Sequence, residues 1–214
     1  MQSIKIKGRL SYPALDKMTK MTLGDNSVME YFGADIIIPK TDKEQVARFI
    51  EVLRKAAKDS YPNINPDRFI EQAKINKRAI IKDGDEKIAS ATKPETYEKA
   101  YKNSWYISAK NKLVQPLLVD RQAQIVSNPR DVFYAGCWVI AKLNIATYEL
   151  ETFKTKGFSC TLTGVQFFKN DERWGASPKS APSEFDDYGE EEDDTLNTTS
   201  FASSELETAD VPWN

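Results

Sequence analysis

The aromatic and cationic side chains of residues 132–150 have types and spacing suited to nucleic-acid binding. Apolar side chains occupy the odd positions from 133 to 145, whereas Tyr134, Trp138, Lys142 and Tyr148 occupy even positions. A period of two predicts a β-strand with one face in a core and the other presenting rings and a cation. Rings stack on unpaired bases and cations hold phosphates, so the second face is a candidate surface for a single strand. The alternative is a face packed against another protein layer.

A second alternating run begins the chain, where three cations at positions 5, 7 and 9 separate apolar residues. This pattern predicts a strand with a cationic face, which either lines a phosphate-binding groove or only keeps an exposed strand soluble. Smaller groups of rings and cations follow along the chain. Together they form the predicted nucleic-acid-binding set: Lys5, Lys7, Arg9, Tyr31, Lys40, Trp105, Tyr106, Lys110, Lys112, Arg121, Tyr134, Trp138, Lys142 and Tyr148.

The composition argues against catalysis. The chain contains no histidine, which removes the commonest general base and most transition-metal sites. Cys137 and Cys160 form no CxxC motif and are expected to be small core residues without a disulfide. We therefore expect no enzyme activity, no catalytic residue, no cofactor and no metal. The alternative is a metal-dependent nuclease that uses Asp83 and Asp85, although the segment "DGDEK" is more typical of a polar turn.

Charge is divided unevenly along the chain. The 30 basic and 32 acidic residues give a net charge of −2, but residues 183–214 contain 11 acids and no base. Residues 1–182 therefore hold 30 bases and 21 acids, a net charge of +9. A basic body attracts polyanions, whereas an acidic segment of low hydrophobicity is expected to be disordered. The sequence predicts a folded domain over residues 1–182 and a disordered acidic tail over residues 183–214.

The acidic tail suggests a means of control. Tethered to a basic groove at high effective concentration, its carboxylates can occupy that groove until nucleic acid displaces them. Its last residues form a compact motif that could place a tryptophan ring in a hydrophobic pocket of a partner: Asp210, Val211, Pro212 and Trp213. The alternative is a tail that only keeps the protein soluble.

The remaining patterns predict a mainly β chain with few helices. Residues 41–60 form the clearest helix, with Thr41 and Glu44 as a capping box and an apolar stripe on one side. Shorter helices are expected after Pro66 and around residues 94–101. Strands are expected over residues 29–40, 104–110, 132–150 and 157–169. The sequence shows no signal peptide and no membrane-spanning run, so a cytoplasmic protein is expected.

The order of these segments resembles the single-stranded DNA-binding proteins encoded by bacteriophages, the group that includes the phage T7 protein. The resemblance depends on "YFGADIIIPKTD" followed by an amphipathic helix, then "KDGDEK", "LLVDRQ", "DVFYAGCWVIAKLNI", "GFSCTLTGVQFF" and the acidic tail. It implies an OB-fold, which is a Greek-key barrel, with one long helix and one or two short helices. It also implies sequence-tolerant binding of single-stranded DNA in phage DNA replication, recombination and repair, in the host cytoplasm.

Residues 210–213 are similar to the Asp-Ile-Pro-Phe tip of bacterial single-stranded DNA-binding proteins, although Asn214 follows the ring here. The resemblance to the phage proteins implies that the tail contacts replication proteins such as a polymerase and a helicase, and that the chain self-associates through the tail, often as a homodimer. The competing interpretation is a protein-interaction or chaperone-like module whose acidic tail mimics nucleic acid. Such a module needs neither a basic body nor exposed rings on a strand.

Overall fold

A computed structural model describes residues 1–22, 24, 26–150 and 155–175. In that part of the chain, seven β-strands and five α-helices follow one another. The strands are β1 (Gln2–Thr22), β2 (Val28–Pro39), β3 (Ile81–Asp83), β4 (Ser104–Asn111), β5 (Leu117–Val119), β6 (Trp138–Leu150) and β7 (Thr155–Lys169). The helices are α1 (Lys43–Ser60), α2 (Pro66–Ile75), α3 (Gly84–Ala89), α4 (Glu95–Tyr101) and α5 (Pro129–Val132).

Five of the strands close into a barrel. The strands lie in the order β3-β4-β2-β1-β6-β7-β5, and an additional pairing joins β4 to β7. This closing contact is parallel, at Lys110 and Thr161, whereas the other neighbours around the ring are antiparallel. The ring β1-β2-β4-β7-β6 is a closed barrel of the OB type. The fold is therefore mainly β, as the sequence predicts.

One face of each long strand fills the barrel interior. Alternate residues of β6 from Val139 to Ile145 are fully buried, and Ile6 and Leu10 of β1 lie in the same core cluster. This confirms the predicted burial of the odd positions in the strand. Because side chains alternate across a strand, the even positions of β6 point away from the core.

Helix α1 packs against β1 and β6. It buries Phe49 and Leu53 in the core, as the predicted apolar stripe requires. The predicted capping box at Thr41 is wrong, because the helix begins one residue later than that box requires. Its N-cap is Asp42, whose side chain accepts a hydrogen bond from the backbone N–H of Gln45.

Gln45 joins α1 to β1 through its buried side-chain amide. The Lys7 backbone N–H donates to Gln45 Oε1 at 2.8 Å, and Gln45 Nε2 donates to the Lys7 carbonyl oxygen at 2.7 Å. Strand β1 pairs with β2 from Arg9 onward. The glutamine therefore satisfies the backbone hydrogen-bonding groups of Lys7, just before the residues of β1 that pair with β2.

The segment between β3 and β4 folds into two helices, so the turn predicted for "DGDEK" is wrong. Asp83 caps α3, because its carboxylate accepts a hydrogen bond from the Asp85 backbone N–H at 2.8 Å. Position 84 requires glycine, since a Cβ there would lie 2.2 Å from the Tyr101 carbonyl oxygen. This close approach packs α3 on α4, and both helices contact β4.

Strand β6 begins at Trp138, later than the predicted start at residue 132. Pro129 starts α5 instead, and residues 133–137 are irregular. Gly136 has a φ of +106°, and a Cβ there would lie 2.1 Å from the Glu172 carbonyl oxygen. Residues 170–174 approach so closely at this point that regular strand geometry stops. Tyr134 therefore lies outside the strand to which the sequence assigned it.

The remaining expectations concern the number of helices, the cysteines, membrane-spanning segments and the acidic tail. Four shorter helices accompany α1 in the described residues, rather than one or two. Cys137 and Cys160 are free thiols. Among the residues that the structure describes, no helix is long and apolar enough to cross a membrane. The predicted acidic tail, with its tip at residues 210–213, lies outside the described residues.

Candidate nucleic-acid interface

The predicted binding residues lie mainly on two outer faces of the barrel. The β2–β4 face consists of outward side chains of β2, β4 and their neighbours: Tyr12, Tyr31, Asp35, Lys82, Tyr106, Ser108 and Lys110. The β1–β6 face consists of outward side chains of β1, β6, β7 and one loop: Lys5, Lys7, Arg121, Trp138, Lys142, Phe168 and Lys169. Helix α4 borders the first face and residues 170–174 border the second.

The β1–β6 face places cations around two aromatic rings. The Lys7 ammonium lies 4.2 Å from the centre of the Phe168 ring and 5.6 Å from that of Trp138. The Lys169 ammonium lies 5.4 Å from the Trp138 ring. Phe168 is the extra residue of a bulge in β7, which explains how two successive residues, 168 and 169, both reach this face. The arrangement combines stacking surfaces with positive charge.

Most cations of this face are free to meet an anion. Lys5, Lys7, Lys142 and Lys169 are exposed, and the ion pairs found among the described residues do not include them. Lys5 and Lys142 are direct cross-strand neighbours. Like charges opposite each other repel, and an anion lying across them removes that repulsion.

Residues 170–174, which we call the clasp, cover one end of the β1–β6 face. Trp138 Nε1 donates a hydrogen bond to the Asp171 carboxylate at 2.7 Å, and Arg9 pairs with the same carboxylate at 3.5 Å. The pKa of Asp171 is lowered, first by the hydrogen bond from the Glu172 backbone N–H and then by that from Trp138. The clasp thus already uses the charge of Arg9.

Two further rings belong to the clasp contacts. The Tyr134 hydroxyl donates to the Asp171 carbonyl oxygen at 3.0 Å, and Arg173 lies 4.3 Å from the Tyr134 ring. The Trp174 ring lies 4.1 Å from the guanidinium carbon of Arg9. The buried Trp174 Nε1 has no acceptor within the described part of the chain, so this contact leaves one polar group unsatisfied.

The β2–β4 face pairs its outward cations with tyrosine rings. The Lys110 ammonium lies 4.4 Å from the Tyr31 ring centre, and Lys82 lies 5.8 Å from Tyr106. Burial lowers the pKa of Lys110, and burial raises the pKa of Tyr106 to about 12. The Tyr106 ring therefore stays neutral near physiological pH.

Lys87 of α3 occupies a cage of tyrosine rings beside this face. Its ammonium lies 3.9 Å from the ring centre of Tyr101 and 4.6 Å from that of Tyr106. The rings of Tyr12 and Tyr97 lie farther out, at 5.6 and 5.2 Å. Cation–π contacts of this kind hold α3 and α4 against the sheet.

Asp35 neutralises the caged lysine. The Lys87 ammonium lies 3.0 Å from Asp35 Oδ2, and the Tyr101 hydroxyl donates to the same oxygen at 2.6 Å. The Ser108 hydroxyl donates to Asp35 Oδ1 at 2.5 Å. A lone carboxylate on this face would repel phosphates, and the ion pair with Lys87 cancels that charge.

Tyr12 extends the β2–β4 face from a bulge in β1. It has a φ of +47°, and 54% of its surface is exposed. Its ring centre lies 6.3 Å from that of Tyr97. A bulky residue with positive φ is strained, and strain of this kind concentrates at functional sites.

Lys40 and Trp105 contact each other rather than joining either face. The Lys40 ammonium lies 4.9 Å from the Trp105 ring, which packs against the core. Asp83 and Asp85 each approach that ammonium to 2.7 Å, and their hydrogen bonds raise the pKa of Lys40. The two aspartates thus bind a side-chain cation. The described residues contain no group of three or more metal-binding side chains.

Three other predicted residues lie at the margins. Tyr148 lies near the end of β6, where a Cβ on Gly157 would be 2.9 Å from its hydroxyl oxygen. Lys112 is exposed directly after β4. Arg121 reaches the β1–β6 face, with its guanidinium carbon 5.9 Å from the Phe168 ring.

Sequence reasoning missed nine residues of the two faces and the cage: Tyr12, Asp35, Lys82, Lys87, Tyr97, Tyr101, Ser108, Phe168 and Lys169. The run "FFK" that ends β7 could have suggested two of them, because it combines rings and a cation at a strand end. Lys82 could have been found in a similar way, because it is a cation in the short strand β3. Lys87 gave no signal, since its segment resembles a turn and only the fold brings four tyrosines around it.

Comparison with known proteins gives consistent results. The sequence model of the family described as "Enterobacter phage Enc34, ssDNA-binding protein" matches residues 1–196. A relative, the putative protein p50 of Acyrthosiphon pisum secondary endosymbiont phage 1, is 26% identical over 189 residues, which cover 88% of this chain and 94% of that protein.

Solved structures share the fold. The single-stranded DNA-binding protein from bacteriophage Enc34 in complex with ssDNA has a TM-score of 0.59 and 23% identity, covering 81% of this chain and 89% of that one. Gp2.5, a single-stranded DNA-binding protein encoded by bacteriophage T7, has a TM-score of 0.53 and 12% identity, covering 85% of this chain and 99% of that one.

Proposed function

The chain belongs to the family of the Enterobacter phage Enc34 ssDNA-binding protein, and from this premise we propose that it is a non-catalytic protein that binds single-stranded DNA with little sequence preference. Membership of this family confirms the resemblance to phage single-stranded DNA-binding proteins. One of the similar structures is a complex with ssDNA, which supports the proposal by analogy of fold.

The observation that carries the proposal is the β2–β4 face. OB barrels bind oligonucleotides on the face of their second and third strands, which are β2 and β4 in this barrel. That face presents Tyr31 beneath Lys110 and Tyr106 beneath Lys82. Rings that accept any base, next to cations that hold phosphates, are the chemistry of sequence-tolerant binding.

The β1–β6 face serves the same strand in a different way. The rings of this face are Trp138 and Phe168, with the ammonium groups of Lys7 and Lys169 beside them. We assign it to phosphate binding along the path that the DNA takes around the barrel. Its contribution is electrostatic and therefore depends on salt.

The acidic tail supplies control and partners in this proposal. Residues 1–182 form the DNA-binding domain, and residues 183–214 compete with DNA for the basic faces through their 11 carboxylates. Once displaced, the tip recruits replication proteins such as a polymerase or helicase through Asp210, Val211, Pro212 and Trp213. The protein acts in phage DNA replication, recombination and repair in the host cytoplasm, and it assembles as a homodimer.

Titration of labelled oligonucleotides tests the DNA-binding proposal. We expect the full chain to bind oligo(dT) more tightly than a duplex of equal length, with an affinity that falls as salt rises. A chain that ends at Pro182 should bind oligo(dT) more tightly than the full chain. Trp213→Ala is the matched control, since it keeps every tail charge and should leave DNA affinity unchanged while weakening partner binding.

Two results would contradict parts of the proposal. Equal or weaker binding by the truncated chain would exclude competition by the tail. Absence of oligo(dT) binding at low salt by both forms would exclude DNA binding altogether and favour the protein-interaction module.

A further inference from the structure

A narrow slot of about 50 Å³ lies within the β2–β4 face. The aromatic residues that line it are Tyr12 and Tyr31, and its polar residues are Asp35, Ser108 and Lys110. The sequence patterns did not identify this slot. Its combination of rings with hydrogen-bonding groups matches the chemistry of a nucleobase, which has flat apolar faces and a polar edge.

The close approach of β2 and β4 leaves position 33 of the slot without a side chain. A Cβ on Gly33 would lie 2.6 Å from the Ala109 carbonyl oxygen and 3.2 Å from the Tyr31 ring, so no other residue fits there without displacing backbone. At the other side, the positive φ of Tyr12 holds an exposed ring at the bulge of β1. The rings of Tyr12 and Tyr31 therefore line the slot, and no side chain at position 33 fills the space beside them.

The hydrogen-bonding capacity of the slot is uneven. A carboxylate offers about four acceptor positions. Asp35 uses two on Oδ2, for Lys87 and Tyr101, and one on Oδ1, for Ser108. Among the contacts of the described residues, one acceptor position on Oδ1 remains, and the Ser108 oxygen, which has donated its proton, adds further acceptor capacity. Lys110 is the donor that lines the slot.

From this pattern we propose that the slot binds one nucleobase and prefers a base with an exocyclic amine, cytosine above all, to uracil or thymine. The inference rests on the proposed binding of single-stranded DNA and adds a local base preference to it. The cytosine amine donates to Asp35 Oδ1, and the adjacent ring nitrogen and carbonyl accept from Lys110. Uracil presents a carbonyl oxygen in place of the amine, facing the carboxylate.

A slot of about 50 Å³ is smaller than a whole base, so it receives the polar edge of the base while the ring lies against Tyr12 or Tyr31. The rings bind any base by stacking, so the preference is a modest addition to sequence-tolerant binding. It operates at one nucleotide in each bound stretch of DNA. A base-edge contact of this kind contributes roughly a fivefold to hundredfold discrimination.

Oligo(dC) and oligo(dU) of equal length form the direct test, because their bases differ only at the amine and the neighbouring ring nitrogen. The full chain should bind oligo(dC) about tenfold more tightly in fluorescence titrations at mildly alkaline pH, where cytosine is unprotonated. Asp35→Asn should reduce the ratio of the oligo(dC) and oligo(dU) affinities to less than about twofold. Lys82→Gln, on the same face but outside the slot, should keep the preference for oligo(dC).

Each outcome decides a different question. Equal affinity for the two oligomers, with salt-sensitive binding of both, would overturn the base preference and leave the proposed function standing. No binding of either would overturn the proposed function itself.

A second measurement serves if Asp35→Asn fails to fold. Photocrosslinking of the unmodified chain to an oligomer with 5-iodocytosine should label Tyr12 or Tyr31. Labelling confined to Trp138 or Phe168 would overturn the assignment of the base to this slot.

Discussion

The two outer faces of the barrel use the same residue types in opposite ways. On the β2–β4 face, the acidic Asp35 and three hydrogen-bond donors fix the positions of rings and cations. On the β1–β6 face, four exposed lysines have no ion pair in the described residues, and two of them, Lys7 and Lys169, lie beside the rings. The comparison teaches that charge and order are separated here; in the function that we propose, the first face positions bases and the second attracts phosphates.

Physical chemistry explains why one surface would serve both purposes less well. Ordering a ring requires buried contacts and matched charges, as in the cage around Lys87. Attracting a polyanion requires unmatched charge, which is destabilising when it is buried. Exposed lysines on strands supply unmatched charge at little cost, because water solvates them until DNA arrives.

The largest expected effect is the loss of stacking on the β2–β4 face. Tyr31→Ala combined with Lys110→Ala should weaken oligo(dT) binding about fiftyfold, since it removes a stacking ring and its cation. The matched pair Trp138→Ala with Lys142→Ala on the other face should weaken it about fivefold. Fluorescence titration measures both, with circular dichroism as the check on folding. The reverse order of effects would assign the bases to the β1–β6 face.

A second effect concerns the salt dependence of binding. Neutralising Lys5, Lys7 and Lys142 with glutamine should lower the slope of log affinity against log salt by about 2, because each phosphate that the protein neutralises contributes roughly 0.7 to that slope. A control with the same charge change on the two long helices should leave the slope unchanged: Lys43→Gln, Lys55→Gln and Lys74→Gln. Equal slopes for the two triple variants would mean that the β1–β6 face only adds general charge.

A smaller effect concerns stability. Lys87→Ala leaves the Asp35 carboxylate, whose side chain is 14% exposed, without its cation. Breaking such a pair should reduce the free energy of unfolding by about 1–3 kcal/mol, somewhat below the value for fully buried pairs. Urea unfolding measures this, and Lys82→Ala should change stability by less than about 0.5 kcal/mol. Equal decreases for both variants would mean that the cage has no special role.

The smallest effect is a pH response confined to the clasp. The pKa of Asp171 is lowered in the folded protein, so its stabilisation is present above the ordinary carboxyl pKa of 3.8 and disappears as pH falls through the lowered value. Tryptophan fluorescence from Trp138 and Trp174 should change in that acidic range. Asp171→Asn should abolish the transition. A transition that persists in this variant would have to come from another group.

Sequence patterns predicted the barrel better than they predicted the surface. Strict alternation in β1 and β6 identified both the buried face and the cationic face, because burial in a strand depends only on the period of two. The start of β6 was placed too early because apolar alternation continues through residues 133–137. The strand begins later because Glu172 approaches Gly136 closely. These two residues are far apart in the sequence, so no local pattern reveals the contact.

The site was harder to predict because its residues are brought together by tertiary contacts between distant parts of the sequence. Tyr31 and Lys110 lie 79 positions apart in the sequence, and cross-strand geometry alone brings them to 4.4 Å. The sequence predicts Lys40 as a DNA-binding residue because it lies in the same short segment as the ring of Tyr31. Its two aspartate partners belong to a segment that resembles a turn. Neither relation has a local pattern that sequence alone can reveal.

Gln45 has a consequence for the behaviour of the protein in a crowded cell. Its side-chain amide forms hydrogen bonds with the backbone N–H and carbonyl of Lys7 at the edge of β1. A peptide unit of a neighbouring strand would form the same two bonds. An unoccupied margin of this kind is a template on which a foreign strand can add, and it promotes aggregation. One glutamine on a helix thus protects the sheet against unwanted polymerisation, while the Lys7 side chain remains exposed on the β1–β6 face.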